Sequence, residues 1–294
     1  MTRNYILDEK IISKKIKSKV NYPIRVFNLN GIGINQAKFI KDMKKSFKNL
    51  PWDFYDVRRE QINFLIKKIP SEKKILEKFF PHYYLGKTNL SQIESILKKL
   101  SKKDRNIFNK IKPYRRRSMA SFVLSYSQGR WNIKKIKKEI FSQKVRKDDY
   151  RSLTRVFQEM STSITKNPEF EKLLTNIAEM VREDNSNVKK LNIECHQTKI
   201  IALENSAGDN SPEGVHKDGC DYIVSALVIE RKGIKGGISK VYSDDKKKEY
   251  LKIKLEPGEG IFQKDAWHDV TKIYAQSRKK MGVRNIFGFD ISIQ

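Results

Sequence analysis

The stretch PEGVHKDGCDY, residues 212–222, decides how the remainder of the chain is read. Within it His216 and Asp218 stand at i and i+2. Residues two apart on an extended strand point to the same side, so an imidazole and a carboxylate reach one metal ion without bending the backbone. A third candidate ligand, His268, follows Asp218 after 49 intervening residues, and Arg284 follows it. Two ligands from one strand edge and a third from a later strand require a sheet that folds back on itself.

The pattern outside this stretch supports such a sheet. From about residue 190 the chain reads as strands. LNIECHQTKIIALEN reads as a strand, and DYIVSALVIE (221–230) is a nearly continuous apolar run. Gly233, Gly236 and Gly237 mark turns before ISKVYS, YLKIKLEPGEGIF offers another strand and a Pro-Gly turn, and VTKIYA and NIFGFDISI supply the last two. Short strands with regular turn signals predict a sandwich or barrel, and the continuous run predicts a strand covered on both faces. PYRRRSMASFVLSYSQGRW adds a strand after Pro113, with Ala120, Phe122, Leu124 and Tyr126 on one side and Gly129 ending it.

Residues 133–184 read as helical. Leu153, Val156, Phe157, Met160 and Ile164 form one apolar face, and a second helix follows the Asn167-Pro168 break. Before residue 110 the chain is basic and mostly helical, with apolar positions Ile6, Ile11, Ile12 and Ile16 at helical spacing in the lead-in. YPIRVFNL (22–29) is a short strand. NQAKFIKDMKKSFKNL, WDFYDVRREQINFLIKKI, residues 71–80 and residues 90–100 are amphipathic helices, the last capped by Ser91. The expected division is a helical, basic region over 1–110 and a sheet domain over 111–294.

Composition narrows the class. With 294 residues and 38% hydrophobic content the chain builds a sizeable core. No apolar run approaches the ~20 residues that span a bilayer, and the amino terminus lacks a secretory apolar core. A cytoplasmic protein that does not enter the membrane is expected. Cys195 and Cys220 stand alone, which fits small reduced thiols better than a disulfide framework or a zinc site. The 62 Lys and Arg against 34 Asp and Glu leave a net charge of +28, which attracts polyanions. Charge therefore admits nucleic acid as a partner, but the same excess is met by solvated helix backs, and it does not favour one.

Two histidines and a carboxylate are the ligand set of the facial triad in non-heme Fe(II) sites, where three positions on the metal stay open. An arginine on a later strand can grip a carboxylate with two parallel hydrogen bonds. EGVHKDGCDYIVSALVIERKGIKGG, GEGIFQKDAWHDVTKI and GVRNIFGFDI, with CHQTKIIALEN and YRRRSMASF upstream, resemble core blocks of the 2-oxoglutarate/Fe(II) dioxygenases that hydroxylate free amino acids, the isoleucine-dioxygenase-like group. The likeness spans roughly residues 112–294, with a weaker echo at LPWDFYDVRR.

That resemblance implies an α+β fold with a double-stranded β-helix (jelly-roll, cupin-like) core, helices packed outside it, and the helical N-terminal region as an extension. It implies His216, Asp218 and His268 as Fe(II) ligands, Arg284 as the anchor of the co-substrate 2-oxoglutarate, and O2 as the second co-substrate. It also implies a small, amino-acid-like substrate. An aspartate at 218, where a halogenase of this type carries a small residue, implies hydroxylation.

Three further residues are candidate substrate contacts. On an unbroken strand Arg116 shares the face of Ala120 and Phe122, taken as inward, and is expected to bind a substrate carboxylate, leaving Arg115 and Arg117 outward. Gln197 and Glu213 are expected near an amino group or behind the iron ligands. His196 is expected to be a satisfied core histidine, and Trp267 a packing residue on the face opposite His268. The same chemistry on a macromolecule, or a binding module without activity, are the alternative readings.

Overall fold

The computed structural model describes residues 24–137, 140–143, 149–204, 206–277 and 280–294. The helical spacing expected over residues 1–20 lies outside the described residues. In chain order the strands are β1 (Ile24–Asn28), β2 (Arg115–Ser127), β3 (Arg130–Ile136), β4 (Lys190–Ala202), β5 (Tyr222–Lys232), β6 (Ile234–Gly236), β7 (Ser239–Tyr242), β8 (Glu249–Ile253), β9 (Glu259–Lys264), β10 (His268–Val270), β11 (Ile273–Ala275) and β12 (Gly282–Ile293). Seven of them form one antiparallel sheet in the order β1-β9-β5-β12-β4-β2-β3. The others form a three-stranded sheet, β10-β7-β8, and a two-stranded one, β11-β6.

Alternation on the long strands sorts the large sheet into two faces. Ala120, Phe122 and Leu124 of β2, Ile193 and Cys195 of β4, and Phe287, Phe289 and Ile291 of β12 share one core with helices α1 (Gln36–Ser46) and α7 (Pro168–Asp184). Asn35 caps α1 by accepting from the Lys38 N–H, and Asn167 caps α7 ahead of Pro168, where proline's missing N–H is not needed. Phe287 meets Phe47 at 5.3 Å and Phe170 at 5.6 Å between ring centroids, which ties both helices to the centre of β12.

The opposite face of the sheet meets the small sheets. Ala226 and Val228 of β5 and Ile261 of β9 pack with Val241 of β7 and Leu251 of β8. Ile200 and Ala202 of β4 pack with Ile234 and Ile273 of β6 and β11. β5 is therefore covered on both sides, which accounts for its unbroken apolar run.

Two sequence expectations need correction. The stretch 133–184 is not helical throughout. β3 returns beside β2 through Gln128 and Gly129, both at positive φ as a tight hairpin turn requires. Residues 150–152 make one 3-10 turn, and the chain to 160 is extended ahead of the short helix α6 (Thr162–Thr165). β3 covers β2 only from Ser121 onward, so the edge groups of Met119 need partners; Gln158 O and the Met160 N–H provide them. Main-chain pairing to an open edge outweighed the helical spacing of Leu153, Val156, Phe157 and Met160. The second correction concerns the cap at residue 90, which is Asn89 rather than Ser91.

Residues before 111 do not form one block. β1 extends the large sheet beyond β9, and α1 covers that sheet. Helices α2 (Tyr55–Lys68), α3 (Lys73–Tyr84), α4 (Glu94–Lys98) and α5 (Lys102–Phe108) instead enclose a core of their own, built on Ile62, Leu65, Leu76, Ile96 and Phe108. Among the described residues no helix is long and apolar enough to cross a membrane.

Candidate metal and co-substrate site

His216 and His268 lie side by side although 52 positions apart. Each backbone N–H donates to the other's carbonyl, at 3.0 and 2.9 Å, and the rings sit 4.4 Å apart. Each Nδ1 has a carbonyl at hand, Gly214 O at 2.8 Å and Ala266 O at 2.9 Å. A proton held on Nδ1 leaves the Nε2 lone pair of both rings free to bind a cation.

Asp218 completes the set. Its two oxygens lie 3.5 Å from His216 Nε2 and 3.4 Å from His268 Nε2. Metal–ligand bonds of about 2.0–2.2 Å place donor atoms no more than about 4.4 Å apart, so one ion fits between these pairs. The three residues offer donor atoms all within 4.8 Å of one another. Asp265 fixes the loop that carries Asp218, accepting from the Asp218 and Gly219 N–H groups at 2.8 and 2.7 Å. Gln143 donates to Asp218 Oδ1 at 2.7 Å.

The surrounding carboxylates favour positive charge here. Burial works against charge on His216, but Glu213, 3.1 Å from its Nε2, and Asp218 outweigh it and raise the imidazole pKa to about 9. Burial likewise opposes the Asp218 carboxylate, and the two histidines hold its pKa well below the usual range.

Arg284 is 0% exposed and lines the same cavity as the triad. Its Nη1 donates to Asn210 Oδ1 at 2.9 Å, while Nε and Nη2 have no partner among the described residues. Burial, with the charge of nearby Arg231, pushes its pKa down to about 9. A buried guanidinium without a counter-ion is costly unless an anion joins it. Gly237, at φ +66°, leaves it room: a Cβ there would stand 3.2 Å from Arg284 Cδ and 3.0 Å from Ile273 Cγ2.

Of the residues singled out in the sequence, His216, Asp218, His268, Arg284 and Glu213 line one cavity. Arg116 and Gln197 do not. Arg116 does share the face of Ala120 and Phe122, but that face meets the helices. Its guanidinium bonds Leu50 O and stacks 4.2 Å over Trp52. Gln197 is opposite Ser118 on the same face and bonds Ser118 and Ser46. The parity was sound; the inward side of β2 is two different interiors.

Arg115 and Arg117 are the ones that turn to the cavity, joined by Arg155, Gln143 and Asn210. Gln143 and Arg155 fall in the stretch misread as helix, and nothing in their sequence context marks them. His196 also lines the cavity, satisfied as expected: Arg117 Nη2 donates to its Nδ1 at 2.6 Å, and its Nε2 lies 3.0 Å from Asp290 Oδ2. Burial and Arg117 lower its pKa well below the ordinary value, so the ring is neutral and its Nε2–H donates to Asp290. Trp267 lines a neighbouring pocket that shares Glu213 and His216 with this one, with Lys246 Nζ 3.6 Å over its ring.

Three residues that could hold a metal ion thus share one cavity with a buried arginine that has no counter-ion among the described residues. The family model described as 2OG-Fe dioxygenase matches residues 98–290, well over half of the chain, and the chain belongs to that family. It is a 2-oxoglutarate-dependent dioxygenase that uses Fe(II), 2-oxoglutarate and O2.

Among solved structures, a bsmA homologue from Methylobium petroleophilum PM1 superposes with a TM-score of 0.56 at 19% identity, over 62% of this chain and 73% of that one. IDO from Bacillus thuringiensis gives a TM-score of 0.51 at 20% identity, over 62% and 79%. At these identities the likeness is one of fold. No curated protein matches the sequence.

Proposed function

We propose that this oxygenase hydroxylates an unactivated C–H bond of a free amino acid or a related small metabolite, with succinate and CO2 as co-products. In this reading the large sheet and the two small sheets are the halves of a double-stranded β-helix. His216, Asp218 and His268 hold Fe(II), and Arg284 holds the far carboxylate of 2-oxoglutarate. The observation that carries it is the buried guanidinium of Arg284, short of an anion and in the triad's own cavity.

With 2-oxoglutarate and O2, bound Fe(II) supplies the oxidant for C–H hydroxylation. The chain's own residues prepare the site. Gly214 and Ala266 fix the tautomer of both histidines, Asp265 holds the Asp218 loop, and Gln143 orients the carboxylate. Asn210 sets the angle of the Arg284 fork. Glu213 places a carboxylate beside the metal position, where a substrate ammonium group finds a partner. A cavity lined by charges of both signs suits a zwitterion better than an apolar substrate.

Anaerobic titration with Fe(II) and 2-oxoglutarate should produce a visible metal-to-ligand charge-transfer band. The band should be absent in His216→Ala, and a wild type without it would sink the iron and 2-oxoglutarate assignments together. Screening amino acids for succinate formation then tests the substrate class. The net charge of +28 keeps a macromolecular substrate as the rival; nucleic-acid binding with a steep salt dependence would favour it.

A further inference from the structure

Among the described residues, Arg284 is not alone in the cavity in lacking a carboxylate partner. Arg117 of β2 and Arg155 of the extended segment flank a pair of phenylalanines. Arg117 lies 4.7 Å from the centre of the Phe157 ring and Arg155 4.9 Å from that of Phe141, and the two rings are 6.1 Å apart. Cation–π contact of this kind fixes the plane of a guanidinium without using its N–H donors. The donors that are used go to neutral acceptors. Arg117 donates to the neutral ring of His196, and Arg155 to Gln143 Oε1 and Arg151 O. The Nε of each has no partner among the described residues, and no ion pair joins either to a carboxylate there.

The other arginines at this end differ. Arg115 is held by Asp53 and Asp56, and Arg151 by Asp149. Two like charges brought together in a low-dielectric cavity repel unless an anion lies between them. Of the carboxylates whose charge reaches Arg117 among the described residues, Asp53 is paired with Arg115 and Asp290 accepts from His196. The pair is also wired to the metal site: Arg155 bonds Gln143, which bonds Asp218.

We infer that Arg117 and Arg155 form a second anion subsite, separate from Arg284, which takes the carboxylate of the substrate and so sets which C–H bond faces the metal. The subsite rests on the reading of the substrate as an amino acid or a similar small acid. Phe141 and Phe157 hold the two forks open, and Gln143 links the subsite to the carboxylate ligand Asp218. Arg116, one position away on the strand, takes no part.

The test uses the full-length Fe(II) enzyme and the proteinogenic L-amino acids, each paired with its carboxamide, read by succinate formation. Wild type should prefer the acid to the amide by about 100-fold or more in kcat/KM, the scale of a lost charge-assisted pair. Arg117→Met and Arg155→Met should raise KM for the acid by a similar factor and shrink the acid/amide preference below about tenfold. Both variants should keep the charge-transfer band with 2-oxoglutarate at an unchanged apparent Kd, which a merely misfolded variant would not. Variants that keep both the band and the full acid/amide preference would overturn the subsite and leave the amino-acid reading standing. A wild type that forms the band but turns over no amino acid would remove that reading, and the carboxylate subsite with it.

Discussion

Arg115 and Arg284 face each other across β4, both at the level of Ile200, and both are buried. Their surroundings differ completely. Arg115 donates to Asp53 at 3.0 Å and pairs with Asp56, and these carboxylates more than offset burial, holding its pKa well above the ordinary arginine value. Among the described residues Arg284 has one amide oxygen and no carboxylate, and its pKa falls to about 9. Two buried arginines on one sheet face thus separate into a cation already neutralised by the fold and one left for a ligand to neutralise. Burial alone does not distinguish structural from functional charge; the inventory of counter-ions does.

The comparison predicts stability effects of opposite sign. Arg115→Met leaves Asp53 and Asp56 unpaired in the interior and should destabilise the protein by about 3–5 kcal/mol, measured by urea unfolding. Arg284→Met removes an unneutralised cation and should raise the Tm of the metal-free protein, while weakening 2-oxoglutarate binding by about 100-fold. Equal destabilisation by both substitutions would break the distinction.

Asp290 supplies a smaller, pH-dependent effect. Burial, then the charge of Asp218, pushes its pKa up to about 7, with Arg117 opposing. A carboxyl raised in the folded state contributes stability that is present below its ordinary pKa and lost as pH rises through about 7. The metal-free protein should therefore lose stability between about pH 4 and 7. Asp290→Asn, which still accepts from His196, should reduce that slope; an unchanged slope in urea titrations would assign it elsewhere. The smallest effect is expected for Arg116→Ala, which loses only its stacking on Trp52 and a bond to Leu50 O. About 1 kcal/mol of stability and no change in substrate KM are expected.

Much of this was legible in the sequence. Period-two alternation defined β2, β4 and β12, and the spacing of His216, Asp218, His268 and Arg284 marked residues that the fold gathers into one cavity. What failed was local. Arg116 was assigned to the wrong interior because alternation tells which residues share a face, not which of two covered faces holds the chemistry. Phe157 and Met160 read as helix because the need of the Met119 edge for hydrogen-bond partners is a tertiary fact. Arg155 and Gln143 were hidden with them. No motif marks a guanidinium as lacking a counter-ion; that becomes visible only when every neighbour is in place.

A second pocket, which shares Glu213 and His216 with the triad's cavity, joins separate lengths of chain. Arg59, Asn63 and Phe80 come from α2 and α3, ahead of the segment that matches the family, while Glu213, His216 and Trp267 come from within it. That pocket is thus partly written by helices with a core of their own. Sequence change in α2 and α3 can therefore reshape this pocket while His216, Asp218 and His268 stay as they are.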